Sequence, residues 1–235
     1  DIAEIFIELG PDESRFLYNL LDSEKSADVP VELDEDEREQ FMEEMPGEMI
    51  ARKVIDNMES DDAADLLGEL SEEKQEEILQ SIEDVEQAGD IADLLSYEKD
   101  TAGGLMATEL IKVNEDWDIA RCIREIRKQA GEVNEFYYVY VVDQDELLKG
   151  TVSLKKLLIS RSSTRIKNIV KTDIISVKTD TPSEEVANIM KKYDLVSLPV
   201  IDTIGRLLGR ITIDDVVDVI QEEAEKDYQL ISGIT

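Results

Sequence analysis

Two groups of carboxylates have a spacing that could hold an ion. Asp61 and Asp65 are four residues apart, so on a helix both lie on one face, with Asp62 on a neighbouring stripe. Near the other end of the chain Asp215, Asp218 and Glu222 recur at three and four residues. Asp214 with Asp218, and Glu223 with Asp227, follow adjacent stripes, and Lys226 is the only base between Asp214 and Asp227. Like charges at helical spacing repel modestly, so such an arrangement lowers stability unless a cation sits nearby. Oxygen ligands of this kind suit hard divalent cations such as Mg²⁺ or Ca²⁺. A structural reading competes with this one. Asp61 and Asp62 equally serve as first-turn acids that complement a helix dipole, and the later group equally forms a solvated helix surface.

Composition narrows the chemistry further. The 235 residues carry 57 acids, 25 bases and no histidine, a formal net charge of −32. Charge this far from zero repels itself in the compact state, and it excludes nucleic acid, whose phosphates need a basic footprint. With no histidine and one cysteine, Cys122, zinc-type sites are excluded, as is an internal disulfide. Cys122 reads as a small core residue of the helical run 119–127. No nucleophile–base pair, phosphate-cradling glycine loop or metallohydrolase motif appears, which argues against an enzyme. The longest apolar stretches, 136–142 and 198–201 among them, fall far short of the roughly 18 residues a membrane helix needs. No secretion signal opens the chain. A chain that begins at Asp1 and stops at Thr235 in mid-phrase reads as a fragment.

Two periodicities must position these residues, and they change near residue 100. In the first part Val54–Ile55–x–x–Met58 is echoed by Leu66–Leu67–x–x–Leu70 and Ile78–Leu79–x–x–Ile82 at 12-residue steps. Phe41–Met42–x–x–Met45 and Ile91–x–x–Leu94 keep the beat more loosely. Twelve residues suit one short helix and a turn, with Ser60 and Ser71 placed as N-caps. This predicts a small α-solenoid of short antiparallel helices stabilised by stacking. The opening segment 1–22 looks helical but off the beat, and Asp28–Val31 reads as a break.

Beyond residue 100, β-branched strands alternate with amphipathic helices. Thr108–Glu109–x–x–x–Val113 matches Thr172–Asp173–x–x–x–Val177 at an offset of 64. Val141–Val142–Asp143 and Gly150–x–x–Ser153 match Val200–Ile201–Asp202 and Gly209–x–x–Thr212 at an offset of 59. Each copy predicts strand, helix, strand, strand, helix. In the second copy these are a strand at Ile174–Val177, a helix at Ser183–Lys192, a hairpin of 196–201 with 207–212, and a closing helix at Asp214–Glu222.

That tandem resembles a pair of CBS domains, on the residues Leu198–Pro199–Val200–Ile201–Asp202, Gly205–Arg206–Leu207–Leu208–Gly209 and Thr212–x–x–Asp215. The order of the whole chain resembles the cytosolic part of the MgtE family of magnesium transporters. An acidic short-helix region containing Asp61–Asp62–Ala63–Ala64–Asp65 leads through Thr101–Ala102–Gly103–Gly104–Leu105–Met106 into the CBS pair, which exits through Asp214–Asp215–Val216–Val217–Asp218.

The resemblance implies an N domain over 1–100, a first CBS domain over 101–165, a second over 166–223, and the start of a connecting (plug) helix over 224–235. It implies a homodimer through the CBS domains at the cytoplasmic face of a membrane, joined to a transmembrane domain outside this chain. Several regulatory Mg²⁺ ions would bridge acidic surfaces and hold a pore closed. It points to Asp61, Asp65, Gly103, Glu184, Asp194, Asp215, Asp218, Glu223 and Asp227 as metal ligands. Gly103, which would offer its carbonyl, reads equally as a plain turn, and Glu184 and Asp194 as a helix-start acid and a loop residue. Adenine nucleotide, ATP among them, is the other ligand implied, with Thr212 and Asp215 meeting the ribose. The first repeat has Lys156 where the matching Asp would stand, which damages one of the two possible sites. The alternative function is a soluble, nucleotide-sensing CBS regulator whose helical domain docks a partner protein.

Overall fold

Seven helices of the first unit begin 12 or 13 residues apart: α1 (Pro11–Leu20), α2 (Ser23–Glu32), α3 (Glu35–Glu44), α4 (Gly47–Lys53), α5 (Ser60–Leu67), α6 (Glu72–Leu79) and α7 (Val85–Leu94). They belong to a computed structural model that describes residues 5–6, 9–131, 133, 136–217 and 219–220. Side-chain caps start many of them. Asp22 accepts from Lys25 N, Asp34 from Glu37 N, Ser71 from Lys74 N and Asp84 from Glu86 N. Ser60 is instead the first residue of α5, and Glu59 is its N-cap. The second beat is set by packing: α2 lies on α3 and α4, α4 on α6, and α5 on α7. Helices this short are marginal alone, so the buried side chains Met42, Ile50, Ile55, Leu67, Ile78 and Ile91 hold the stack together.

The beat runs further toward the N-terminus than the sequence suggested. Helices α1 and α2 keep it, and the expected break at Asp28–Val31 lies inside α2, with Pro30 in its interior. A proline there has no N–H for the carbonyl four residues earlier, that of Ser26. The hydroxyl of Tyr18 supplies the missing bond, donating to Ser26 O at 2.7 Å. Tyr18 is fully buried in an edge-to-face trio with Phe6 and Phe41, ring centroids 5.3–5.9 Å apart.

The two compact units divide between Ser96 and Tyr97. In the second, β1 (Ile111–Asn114), α8 (Ile119–Gln129), β2 (Val139–Val142), β3 (Leu148–Val152) and α9 (Leu154–Ile159) form one repeat. The other is β4 (Val177–Lys178), α10 (Ser183–Tyr193), β5 (Ser197–Ile201) and β6 (Leu207–Thr212), followed by helical residues 213–217 and 219–220. Each repeat has a three-stranded sheet whose first strand is parallel to the second and whose second and third form an antiparallel hairpin. Both hairpins shift register at equivalent points, Val141/Val142 and Val200/Ile201.

The repeats exchange their leading segments. Lys171, ahead of β4, pairs with Thr151 of β3 in the first repeat, and Ala107, ahead of β1, pairs with Arg210 of β6 in the second. This explains why the strand expected at Ile174–Val177 shrinks to Val177–Lys178: its leader is drawn to the other sheet. Gly150 and Gly209 admit these crossings, because a Cβ would stand 2.2 Å from Lys171 O and 2.6 Å from Ala107 O respectively. The hairpin turns are joined by a matching pair of bonds, Leu148 N to Gly205 O and Leu207 N to Glu146 O, both 3.0 Å.

Candidate functional site

The closing helix of the second repeat starts where β6 ends, and that junction gathers three polar residues. Thr212 N donates to Asp215 Oδ2 at 2.7 Å, and Thr212 Oγ1 lies 2.9 Å from the same oxygen. Asp214 Oδ1 also contacts Thr212 Oγ1. The backbone bond is half of a capping box, with Thr212 at the N-cap and Asp215 three residues on. One hydroxyl proton cannot serve two carboxylates, so Asp214 and Asp215 crowd each other there. Burial raises the Asp215 pKa above its ordinary 3.8, the Asp214 charge adds to the rise, and the Thr212 bonds and Arg210 oppose it. A carboxylate held this way gains from a cation that neutralises it.

Arg210 sits 5% exposed beside this cluster and donates from Nε to Glu109 O at 2.7 Å. Across the repeats, the hydroxyls of Tyr140 and Ser197 meet at 3.0 Å, both buried. Sequence reasoning passed over both residues: Ser197 stands opposite Thr212 in the hairpin of its own repeat, and the bond to Ser197 brings Tyr140 in from the other repeat. In the first repeat Ser153 caps α9 through Lys156 N at 3.3 Å, and Lys156 has no carboxylate to return.

The other expected ligands are spread out. Asp61 is 9% exposed in the first turn of α5 and accepts from Asp62 N at 3.0 Å, whereas Asp65, one turn later, is exposed. Gly103 is buried in a turn and donates to Thr179 O at 2.9 Å; a Cβ there would fall 2.6 Å from the Tyr97 ring. Glu184 is exposed in the first turn of α10, along a groove with Ile175, Pro182 and Tyr193. Asp194 is exposed at the far end of the same helix, in the left-handed conformation with φ 52° and ψ 50°. Ten helical residues separate these two by about 15 Å, so one ion cannot use both. Asp218, Glu223 and Asp227 lie outside the described residues. Among the described residues no three His, Cys, Asp or Glu side chains converge as a ready metal cage. The donors present are hard oxygens, which fits Mg²⁺ held by one or two carboxylates and its own waters.

The acid load is concentrated. Residues 1–100 hold 34 of the 57 acids and seven of the 25 bases. Several of those bases are turned to backbone carbonyls. Lys53 is buried, with Nζ 2.8 Å from Tyr18 O and 2.9 Å from Leu21 O at the end of α1. Lys74 is buried against Met45 O at the end of α3, and Arg15 donates to Glu44 O at 2.9 Å. Crowding is felt at Asp56, raised by desolvation and then by the charges of Glu83 and Asp84.

Known proteins resemble this chain in sequence and fold. The sequence profile of the MgtE intracellular N domain matches residues 1–100, and that of the CBS domain matches 102–162 and 166–222. The crystal structure of the soluble part of a magnesium transporter aligns over 94% of this chain and 87% of its own, at 33% identity and a TM-score of 0.80. The chain belongs to the MgtE family. The cytosolic domain of the Mg²⁺ channel MgtE in complex with ATP matches equally well, at 33% identity and a TM-score of 0.80 over 93% of this chain and 88% of that one. The magnesium transporter MgtE of Bacillus subtilis is 30% identical over 97% of this chain and 50% of its own length. That of Thermus thermophilus is 38% identical over 66% of this chain and 35% of its own. The chain thus spans half or less of these MgtE relatives. Those relatives are named as magnesium transporters. No helix among the described residues is long and apolar enough to cross a membrane.

Proposed function

We propose that the chain is the Mg²⁺-sensing region of a homodimeric magnesium transporter, lying at the cytoplasmic face of the membrane and joined to a transmembrane domain. Mg²⁺ held by acidic faces of the N domain, the CBS pair and the connecting helix closes the pore, and loss of Mg²⁺ opens it. The observation that carries this reading is the acid excess of residues 1–100, three of whose seven bases are committed to helix ends. Such a surface needs mobile cations to be brought close to another acidic surface. Two surface carboxylates about 4 Å apart repel by roughly 1–4 kcal/mol. Shifting a gate from 1:99 to 99:1 takes about 5.5 kcal/mol, so several weak sites must act together. Asp61, Asp65, Asp215, Gly103, Glu184 and Asp194 are the proposed ligands, with Glu184 and Asp194 serving separate ions. Asp218, Glu223 and Asp227 complete the set on the connecting side.

Adenine nucleotide is a second proposed ligand, at Thr212 and Asp215. It is favoured by the ATP complex of the similar cytosolic domain and by the buried polar cluster between the repeats.

Small-angle scattering of the chain during a Mg²⁺ titration, at matched ionic strength, tests the sensor reading. The radius of gyration is expected to fall at low-millimolar Mg²⁺, and Asp61→Ala or Asp215→Ala to blunt the fall. A radius that stays constant sinks the proposal.

A further inference from the structure

A separate cavity of about 230 Å³ opens beside the β1–α8 turn, lined by Asp116, Trp117, Asp118, Arg121, Ser163 and Arg165. It shares no residue with the Thr212 cluster. The Arg121 guanidinium carbon lies 4.3 Å from the Trp117 ring centroid, a cation–π contact that restrains a flexible side chain. Arg165 reaches in from the segment that joins the repeats and donates to Asp116 O at 2.5 Å. That segment is fastened to the turn by backbone bonds, Ile119 N to Thr164 O at 3.0 Å and Ile166 N to Trp117 O at 2.9 Å. Both arginines therefore project from anchored backbone.

The two acids of the lining are already engaged. Asp118 Oδ1 caps α8 by accepting from Arg121 N at 2.8 Å. Asp116 Oδ1 takes the Lys167 ammonium at 2.8 Å, and that pairing holds its carboxyl below the usual range. A guanidinium presents five N–H donors in a planar fork, and the bond to Asp116 O uses one of those on Arg165. The surroundings also depart from the rest of the chain. Residues 101–165 hold ten bases against ten acids, in contrast to the acid excess before them. Helix α8 adds exposed Arg124, Arg127 and Lys128 beyond Arg121. An anion repelled by the N-terminal unit meets a balanced, arginine-rich surface here.

We propose that this cavity binds a phosphate group, gripped by the guanidinium forks of Arg121 and Arg165 with the Ser163 hydroxyl as a further donor. Arginine is the residue suited to bidentate phosphate contacts, and the contact with the Trp117 ring restrains where the Arg121 guanidinium sits. With a water occupying about 30 Å³ of liquid, the volume holds one or two phosphate groups but not a nucleoside as well. The group can come from free phosphate or pyrophosphate, or from the polyphosphate tail of a nucleotide whose base remains outside.

Trp117 is the only tryptophan in the chain, so its emission reports this cavity alone. The test is to titrate the 235-residue chain with orthophosphate, pyrophosphate and ATP in Mg²⁺-free buffer, holding ionic strength constant with sodium chloride. A saturable change in Trp117 emission with pyrophosphate, absent with chloride, is expected. Calorimetry should show binding weakened at least about tenfold by Arg165→Ala and several-fold by Ser163→Ala. Arg165→Gln, which keeps much of the stem, serves if the alanine variant melts early. An ATP response with the same sensitivity to Arg165 assigns the source to a nucleotide tail, and a response to pyrophosphate without ATP assigns it to the free anion. Emission that drifts without saturation for all three, or binding unaltered by both Arg165 variants, overturns the proposal.

Discussion

Thr212 and Asp215 are bound to each other through two contacts on one carboxylate oxygen, at 2.7 and 2.9 Å. The pair closes the N-terminus of the helix that follows β6, yet it places a partly desolvated carboxylate next to the charge of Asp214. Because the folded pKa of Asp215 is raised, the native state binds more protons than the unfolded chain between pH 3.8 and that raised value. Stability from this group is complete below that window and is lost as pH rises through it. Urea denaturation of the native protein and Asp215→Asn from pH 4 to pH 7, without Mg²⁺, should show the variant gaining relative to the native protein as pH rises. Added Mg²⁺ at pH 7 should stabilise the native protein more than the variant. Parallel pH curves would mean that burial does not strain this carboxylate.

Asp194 ends α10 in the left-handed region, where a Cβ is unfavourable and where an acid opposes the helix dipole. Glycine removes both penalties. In EDTA, thermal melts should place Asp194→Gly above the native protein by roughly 0.5–1 kcal/mol and also above Asp194→Ala, which sheds the charge but keeps the Cβ. If Asp194 is a metal ligand, both variants lose part of the Mg²⁺-dependent rise in melting temperature. A rise equal in all three proteins would remove Asp194 from the ligand set.

The 12-residue beat and the doubled strand–helix–hairpin pattern were legible because they are written in local apolar spacing. What escaped depends on partners distant in sequence. Pro30 read as a break because nothing near it announces that Tyr18 supplies the bond its nitrogen lacks. The offsets of 59 and 64 reveal two copies, but not that Ala107 and Lys171 each join the other copy's sheet. The carboxylate pattern has the same limit. Helical spacing put Asp61 and Asp65 on one stripe, but packing buries one and exposes the other. Glu184 and Asp194 were legible as flanking one helix, and they stand at its two ends.

The Tyr18–Ser26 bond gives a two-way test. Tyr18→Phe leaves the Ser26 carbonyl unsatisfied in a buried setting and should cost about 1–3 kcal/mol by urea denaturation. Pro30→Ala restores a helical N–H to the same carbonyl. In the double variant Tyr18→Phe/Pro30→Ala, the loss should shrink well below that of Tyr18→Phe alone. Additive losses would show that the hydroxyl does not substitute for the missing amide.

Glycines separate the exchange of leading segments from ordinary helix propensity. At Gly150 an added Cβ meets Lys171 O, a backbone atom that cannot rotate away, while at Gly89 it meets nothing within 4 Å. Gly150→Ala should therefore lower stability by about 2–4 kcal/mol, and Gly209→Ala, against Ala107 O, should follow it. Gly89→Ala, on the exposed side of α7, should raise stability by about 0.5–1 kcal/mol. Hydrogen exchange distinguishes local from general damage. Gly150→Ala should speed exchange at the amides of Thr151 and Lys171, which bond each other across the repeats. If those amides keep their protection while the whole protein weakens, the crossing is not where the added methyl acts.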